Sequence, residues 1–265
     1  MSAPVFLTEP APKHGIATPA AAGIRRIVAA NPGPYTYRGT NTYLLDGPDG
    51  VTVVDPGPDD AAHVAAILAE ARGPIARILL THSHRDHAGA LPALAAASGA
   101  RVLRFDDGSL ADGAVMDGWT ALHTPGHAPD HLCLARADGV VLSGDHVMSF
   151  STSVVIPPDG SMAAYFASLR VMLARADTLY LPGHGPPLPD PRAYVEALLA
   201  HRLKREAAVL AQINARPCAP SEIVQALYVG LDPRLHGAAE ASVTAHLLKL
   251  RDDGLASDTG GVWRG

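Results

Sequence analysis

The stretch that decides the fold is Thr81-His82-Ser83-His84-Arg85-Asp86-His87. It directly follows the apolar run Ile78-Leu79-Leu80, which predicts a loop leaving the C-terminal end of a buried strand, a common place for chemistry in α/β proteins. Imidazole and carboxylate groups are the ligands that metals such as zinc prefer. In an extended stretch, His82 and His84 point to the same side and can share one ion. The segment therefore predicts a metal site.

Further candidate ligands lie in the same segment and in three later turns. Asp86 and His87 lie where the chain tightens into the next helix, and they could face a second ion. The later candidates each follow an apolar strand and have a glycine beside them, which lets the backbone approach closely; they are His127, Asp145 and His184. Asp145 can place one carboxylate between two ions, and a bridging hydroxide can then form because bound water loses its proton near neutral pH. We therefore expect Asp86 and Asp145 to be catalytic as well as metal-binding residues.

Other polar residues near these turns have two interpretations each. Asp55 follows the predicted strand at residues 51–54 and could either cap a turn or orient a ligand histidine. His131 could contact substrate or protonate a leaving group, with simple packing as the alternative, whereas His146 is expected to contact structure rather than metal. The histidines without a local pattern are expected at the surface; they are His14, His63, His201, His236 and His246.

Composition limits the classes of function. The chain has 265 residues, 48% of them hydrophobic, which predicts one substantial domain with a smaller one appended. A formal charge of -5 gives no global reason to expect a polyanionic partner. Two distant cysteines indicate a reducing compartment rather than a disulfide framework. Charged residues interrupt the apolar character of residues 1–30, so no secretory signal sequence is predicted there. No apolar run reaches the roughly 20 residues of a membrane-spanning helix. We therefore expect a cytoplasmic protein without a membrane partner.

Strand-like and helix-like runs alternate through the first two thirds of the chain. Short apolar runs bounded by turn residues predict strands at residues 42–45, 51–54, 75–80, 119–123, 131–135 and 140–143. Ala-rich segments with helical spacing predict helices at residues 61–71, 91–97 and 161–174. Mixed strands and helices indicate a layered α/β domain.

The prolines at residues 186–191 mark a change in the texture of the sequence. Helical periodicity dominates after them, so we predict two domains, residues 1–190 and residues 191–265. The second domain is predicted to contain a helix at residues 192–214, a short helix that begins after Ser221 as its N-cap, and a third helix at residues 238–251. Two short segments around a turn follow. Three helices and then a hairpin is the order of a winged-helix domain.

The segment of residues 81–87 resembles the His-x-His-x-Asp-His motif of the metallo-β-lactamase superfamily, and the three later candidates match its remaining ligands in order and context. The resemblance implies an αββα sandwich with the site at one edge between two sheets. It also implies two divalent ions, with zinc expected and iron or manganese as alternatives. The implied ligands are His82, His84 and His127 for one ion, Asp86, His87 and His184 for the other, and Asp145 as the bridge.

Residues 31–34, 39–44, 55–57 and 182–186 look like the lactamase-like branch related to the mitochondrial endoribonuclease, which also carries a C-terminal winged-helix domain. This resemblance and the winged-helix tail favour an endoribonuclease-like phosphodiesterase acting on single-stranded RNA as the leading expectation, in which His201-Arg202-Leu203-Lys204-Arg205 could contact phosphates. The tail from residue 192 onward has nine Lys or Arg and eight Asp or Glu residues, which is far from a basic stripe. Asp145 stands where the commonest zinc lactamases have a cysteine, which argues against β-lactam cleavage.

Two other activities fit the same ligands. A thioester or small-ester hydrolase similar to glyoxalase II fits equally well, so the expected substrate is either a small-molecule ester or single-stranded RNA. A single-iron oxygenase similar to persulfide dioxygenases retains much of the same motif. About two zinc or manganese ions per chain would favour hydrolysis, whereas about one iron would favour the oxygenase. The sequence leaves the oligomeric state open, a homodimer included.

Overall fold

Two six-stranded sheets form the centre of the fold, in a computed structural model that describes residues 4–265. Residues 1–3, which begin the N-terminal segment considered above, lie outside the described residues. The strands of the first sheet lie side by side in chain order, β1 to β6, and are Thr18–Ala21, Ile24–Val28, Asn41–Gly47, Gly50–Val54, Ile75–Leu79 and Arg101–Leu103. Those of the second sheet, β7 to β12, are Val115–Met116, Trp119–His123, Leu132–Arg136, Val140–Gly144, Leu179–Pro182 and Leu188–Pro189.

Helices cover the outer face of each sheet. In chain order, α1 to α4 are Ala61–Glu70, Arg85–Ala88, Leu91–Ser98 and Met162–Leu173. Ile67 of α1 and Leu94 of α3 pack into the first sheet's outer core, and Leu169 of α4 packs into that of the second sheet. A further core contains side chains of both sheets, among them Leu79 and Leu142. The layers are therefore helix, sheet, sheet and helix, which confirms the expected αββα sandwich.

The pairing of the strands brings several loops to one edge. β4 and β5 are parallel neighbours in the first sheet, and β10 and β11 are parallel neighbours in the second. The carboxyl ends of parallel neighbours point to the same edge of a sheet. All five residues of β10 are buried, which explains why its sequence is a continuous apolar run. The residues that follow β4, β5, β10 and β11 consequently emerge together.

The C-terminal part has three helices and a hairpin. The helices α5 to α7 are Pro191–Ala215, Pro220–Leu227 and His236–Asp252, with a short 3-10 helix at Pro233–Leu235, and the hairpin consists of β13 and β14 at Ser257–Thr259 and Val262–Arg264. Their common core includes Val243, Leu247 and Trp263. This arrangement confirms the predicted winged-helix domain.

The first residue of α6 differs from the prediction. Ser221 was expected as the N-cap, but α6 begins at Pro220 and Ala219 precedes it. The Glu222 carboxylate accepts the backbone N–H of Ala219 at 2.8 Å. The N-terminus of α6 is therefore stabilised by a side chain within the helix, and the prediction for Ser221 is wrong.

The long helix α5 belongs to both cores of the chain. Its first half contributes Tyr194 and Leu198 to the core outside the second sheet, and its second half contributes Val209 and Ile213 to the winged-helix core. The predicted division between residues 190 and 191 coincides with the first residue of α5. Because α5 packs on both sides of any such division, the domain boundary stays a prediction.

Within residues 4–265, no helix combines the length and the apolar character that crossing a bilayer requires. Cys133 and Cys218 are both buried free thiols.

Candidate metal centre

Loops at the shared edge bring all seven predicted ligands together. His82 and His84 follow β5, and the short helix α2 carries Asp86 and His87. The other three lie in turns of the second sheet: His127 between β8 and β9, Asp145 after β10 and His184 after β11. Their donor atoms form three overlapping groups whose members lie within 4.8 Å of one another. The fold therefore collects residues that are about a hundred positions apart in sequence.

The first group consists of His82, His84 and His127. Nε2 of His82 lies 3.0 Å from Nδ1 of His84, and Nε2 of His127 lies 2.9 Å from the same Nδ1. Two nitrogens bound to one tetrahedral ion at about 2.1 Å would be roughly 3.4 Å apart. Small adjustments of the three rings would thus accommodate a divalent ion.

The second group consists of Asp86, His87 and His184. Oδ2 of Asp86 lies 3.2 Å from Nε2 of His184 and 3.7 Å from Nε2 of His87. The two histidine Nε2 atoms are 3.2 Å apart. Two imidazoles and a carboxylate at these distances form a second donor set that suits a divalent metal.

Asp145 lies between the two groups. Its Oδ1 is 3.4 Å from Nε2 of His87, and its Oδ2 is 3.6 Å from Nε2 of His127 and 3.5 Å from Nε2 of His184. Within residues 4–265, Oδ1 has no hydrogen-bond partner although it is buried. Because buried carboxylate oxygens are normally satisfied, this unpaired oxygen is a specific indication that a cation completes the site. The donor set fits two ions that share Asp145.

Asp55 orients His87 from behind the centre. Its Oδ2 lies 2.8 Å from Nδ1 of His87, and its carboxylate also accepts the backbone N–H and the hydroxyl of Thr81, each at 2.7 Å. The Thr81 hydroxyl oxygen in turn lies 3.0 Å from Nδ1 of His82. These contacts leave the Nε2 lone pairs of both histidines free for a metal. Of the two roles considered for Asp55, the geometry supports the orientation of a ligand histidine.

Backbone carbonyls orient two other ligands. Nδ1 of His127 lies 2.6 Å from the carbonyl oxygen of Val154, and Nδ1 of His184 lies 3.4 Å from that of Gly39. Sequence reasoning missed these contacts because a carbonyl oxygen is present at every residue and gives no pattern. For Thr81, the only signal was its place directly before the motif.

His131 and His146 lie beneath the site and are fully buried. The backbone N–H of Asp145 donates to Nε2 of His131 at 3.1 Å, and Nδ1 of His131 lies 2.9 Å from the Thr124 hydroxyl. Both ring nitrogens of His131 are thus occupied by protein groups. This geometry favours positioning of Asp145 over protonation of a leaving group. The ring of His146 packs edge-on against Tyr165, with centroids 5.1 Å apart.

Two histidines that were expected at the surface are buried. His63 is 3% and His246 0% exposed. Nε2 of His63 lies 2.9 Å from the Thr42 hydroxyl, and Nδ1 of His246 lies 3.2 Å from the Glu206 carboxylate. The expectation was wrong for these two because each lies on a helix face that packs against another element, which no local sequence pattern reveals.

The electrostatics of the site divide the ligands into two kinds. Burial raises the pKa of Asp145, but His184 and His87 outweigh it and hold that pKa well below its ordinary value. Burial likewise opposes protonation of His184, yet Asp145 and Asp86 raise its pKa to about 9. Burial lowers the pKa of His82 well below its ordinary value. The carboxylates are therefore ionised and attract positive charge, while His82 is a neutral lone-pair donor.

Gly183 leaves the space that the centre needs. A Cβ atom at this position would lie 2.5 Å from Oδ1 of Asp145 and 2.7 Å from Cε1 of His87. Both distances are well inside van der Waals contact, and both neighbours are candidate ligands. Only glycine fits beside this pair without displacing them.

Two metal-binding groups at the edge of an αββα sandwich define a metal-dependent hydrolase. The model of the metallo-beta-lactamase superfamily matches residues 35–111 and 102–184, and that of the beta-lactamase associated winged helix domain matches residues 219–263. The chain belongs to the metallo-beta-lactamase superfamily.

Similar proteins include both sequence relatives and a solved structure. The beta-lactamase-like protein 2 homolog of Drosophila melanogaster is 30% identical over 260 residues, which cover 86% of this chain and 88% of the relative. The atrochrysone carboxyl ACP thioesterase of Aspergillus chevalieri is 33% identical over 204 residues, which cover 71% of this chain and 65% of that protein. The crystal structure of a beta-lactamase domain protein from Burkholderia ambifaria is 26% identical with a TM-score of 0.83, covering 96% of this chain and 94% of that one.

Proposed function

We propose that this chain is a dinuclear metal hydrolase that cleaves a thioester or another small carboxylic ester. The observation that carries the proposal is the unpaired Asp145 carboxylate between two groups of donor atoms. The ester preference is supported by the relative that is named as an ACP thioesterase. It is also supported by the balanced charge of the C-terminal part, with nine Lys or Arg and eight Asp or Glu residues from residue 192 onward.

Seven side chains would hold the two ions. His82, His84 and His127 would bind one ion, and Asp86, His87 and His184 the other, with Asp145 between them. When bound, such ions supply Lewis acidity toward the substrate oxygen and lower the pKa of water to near neutrality. We expect zinc because of the mixed imidazole and carboxylate donors. Iron and manganese are the alternatives for metal analysis.

Side chains would carry out proton transfer and positioning in the hydrolysis. The Asp86 carboxylate can accept the proton that water gives up as it attacks the ester carbon, and the bond from that carbon to sulfur or oxygen then breaks to release the thiolate or alkoxide. The Asp86 side chain is 34% exposed and can pass that proton on to solvent. His131, which accepts the backbone N–H of Asp145, would hold the loop that carries Asp145 in a fixed position beneath the substrate.

An endoribonuclease-like phosphodiesterase is the second candidate. The observation that favours it is the winged-helix domain, together with His201, Arg202 and Arg205 on α5 beside a cavity. A mononuclear iron persulfide dioxygenase is the third activity that the same ligands would allow, and it differs in metal content.

The test is a parallel assay of zinc-, manganese- and iron-loaded protein on a generic thioester, a single-stranded RNA and a small phosphodiester, with metal analysis of each preparation. We expect about two ions per chain and thioester turnover that falls at least about 100-fold in Asp145→Asn. An exposed aspartate variant, Asp59→Asn, is the matched control and should behave like the wild type. RNA cleavage without thioester turnover would replace the proposal with the second candidate, and one iron per chain would replace it with the third.

A further inference from the structure

A cavity lies between the catalytic part and the winged-helix part. Its volume is about 220 Å³, and its walls come from residues 148–154, from α5, and from residues 228–242. His201, Arg202 and Arg205 of α5 line it. Among the described residues that line it, none is an aspartate or glutamate. The cavity is therefore a small space with positive charge on one wall.

Arg202 is buried without a carboxylate partner. The residue is only 5% exposed, and its guanidinium donates to the Ser242 hydroxyl at 3.1 Å and to the carbonyl oxygen of Ser153. Its Nε has no hydrogen-bond partner within residues 4–265, and none of the ion pairs between described residues includes it. A buried charge without a counter-charge is costly. Arg202 therefore lacks the anion that would normally compensate it.

Arg205 adds a second cation to the same wall. Its guanidinium lies over the Tyr228 ring, 4.0 Å from the ring centroid, and donates to the carbonyl oxygen of Leu227 at 3.1 Å. These contacts fix the guanidinium without neutralising it. Burial lowers the pKa of His201, and the positive charges of Arg202 and Arg205 lower it further, as expected where the local potential is positive.

The cavity shares a wall with the metal centre. Arg202 binds the carbonyl oxygen of Ser153, and the next residue, Val154, accepts from the candidate ligand His127 at 2.6 Å. Adjacent Cα atoms are about 3.8 Å apart. The Ser153–Val154 segment thus links the buried guanidinium to a candidate metal ligand, which places the cavity beside the metal centre.

We propose that this cavity is an oxyanion site, in which Arg202 and Arg205 bind a carboxylate or phosphate group of the substrate while its ester bond reaches the metal centre. Guanidinium groups suit both anions because their donors form a planar fork. The substrate class would then be an anionic thioester or ester rather than a neutral one. The role in substrate binding rests on the function proposed above, whereas the anion site itself does not.

Anion binding tests the site without any turnover. The dissociation constants of inorganic phosphate and of succinate would be measured by calorimetry on the metal-loaded wild type and on Arg205→Met, Arg202→Met and Arg192→Met. Arg192 is the matched control because it is an exposed arginine of the same helix. We expect affinity for at least one anion to fall about 10-fold or more in the two cavity variants and to stay unchanged in Arg192→Met. Equal affinities in all four proteins would overturn the proposal.

Two further measurements keep the outcome decisive. Because Arg202 contacts two parts of the chain, Arg202→Met could unfold; Arg205, which is only partly buried, then decides by itself. The values of kcat/KM for an anionic and a neutral thioester with the same acyl group would be compared in each protein. A selective loss for the anionic thioester supports the proposal, and an equal loss for both contradicts it. If anion binding is lost as expected but no ester is cleaved by the wild type, the proposed function fails while the anion site stands.

Discussion

Asp55 contacts the candidate ligand His87 and would influence metal binding through it, without binding an ion itself. Its backbone has a φ of 53°, unusual for a non-glycine residue, and its carboxylate contacts both Thr81 and His87. We predict that Asp55→Asn lowers metal affinity or activity about 10- to 100-fold, because one of these contacts becomes a donor facing a donor. Competition with a chelator measures the affinity. Asp59→Asn, four residues along and exposed, should leave it unchanged; similar losses in both variants would contradict this role.

Gly183 offers a steric test at the same centre. In Gly183→Ala the new methyl group would displace Asp145 or His87, so we expect fewer bound ions per chain and a matching loss of activity. Gly73→Ala is the control, since a Cβ at Gly73 meets no atom within 4 Å. Metal analysis and unfolding curves of both variants would be compared. A Gly183→Ala protein with full metal content would show that the centre is looser than its distances indicate.

His63 should make stability depend on pH. Burial lowers its pKa from 6.5 to about 4, so the unfolded chain takes up this proton first as the pH falls. The stabilisation is complete above pH 6.5 and is lost progressively down to about pH 4, by up to about 3 kcal/mol. Unfolding free energies of wild type and His63→Gln across this range measure it. We expect the variant to lose less stability, and parallel curves would contradict the assignment.

Residue identities were enough to predict which side chains meet at the candidate centre, but not what surrounds them. The seven candidate ligands are recognisable because three histidines and an aspartate fall within residues 82–87 and the others lie in glycine-flanked turns. The burial of His63 and His246 has no such signal, since it depends on which helix face meets a neighbour. The same holds for Arg202, whose basic surroundings at residues 201–205 suggested a surface patch although its side chain is enclosed.

At the level of elements, three inner strands of one sheet, β3 to β5, and β8 to β10 of the other were predictable, whereas the strands outside them were not. β4, β9 and β10 are mostly apolar and almost completely buried because both faces of each are covered. β2, Ile24–Val28, was missed because Arg25 and Arg26 interrupt its apolar pattern. Both arginines are paired in the fold, with Asp46 and Glu9 respectively, at 2.7 Å. Charge pairing between distant segments thus lets a polar sequence occupy a sheet.

The helix α5 should couple the stabilities of the two parts. Leu198 is 0% and Ile213 2% exposed, and they lie in different cores. We predict that Leu198→Ala and Ile213→Ala each lower the free energy of unfolding by about 2–5 kcal/mol and each shift a single transition. Leu203→Ala, at a 42% exposed position of the same helix, should change it by less than about 0.5 kcal/mol. Two separate transitions in denaturant would show that the parts unfold independently.

For the molecule as a whole, the candidate metal centre lies between loops of the two sheets. Its ligands come from loops of both, and Asp86 and Asp145 bring negative charge into one place. Removal of the ions should therefore lower Tm; an ion at about 100 times its Kd contributes about 2.7 kcal/mol, or roughly 5–10 °C for a chain of this size. Thermal unfolding with chelator and after metal is restored measures the effect. An unchanged Tm would mean that bound ions do not stabilise the fold.

The order of elements in the C-terminal part could be predicted from the periodicity of apolar residues, whereas the cavity beside α5 could not. Three helices and a hairpin follow from the spacing of apolar residues after residue 191. The cavity arises only when residues 148–154, α5 and α7 meet, and no single segment encodes it.

One consequence of α5 concerns how substrates are sorted. At 25 residues the helix is roughly 37 Å long. Because its two ends are embedded in different cores, we expect it to hold the two parts at a fixed separation. The separation between Arg202 and the candidate metal ligands would then be constant, and we expect the proposed anion site to select substrates by the length between their charge and their cleavable bond.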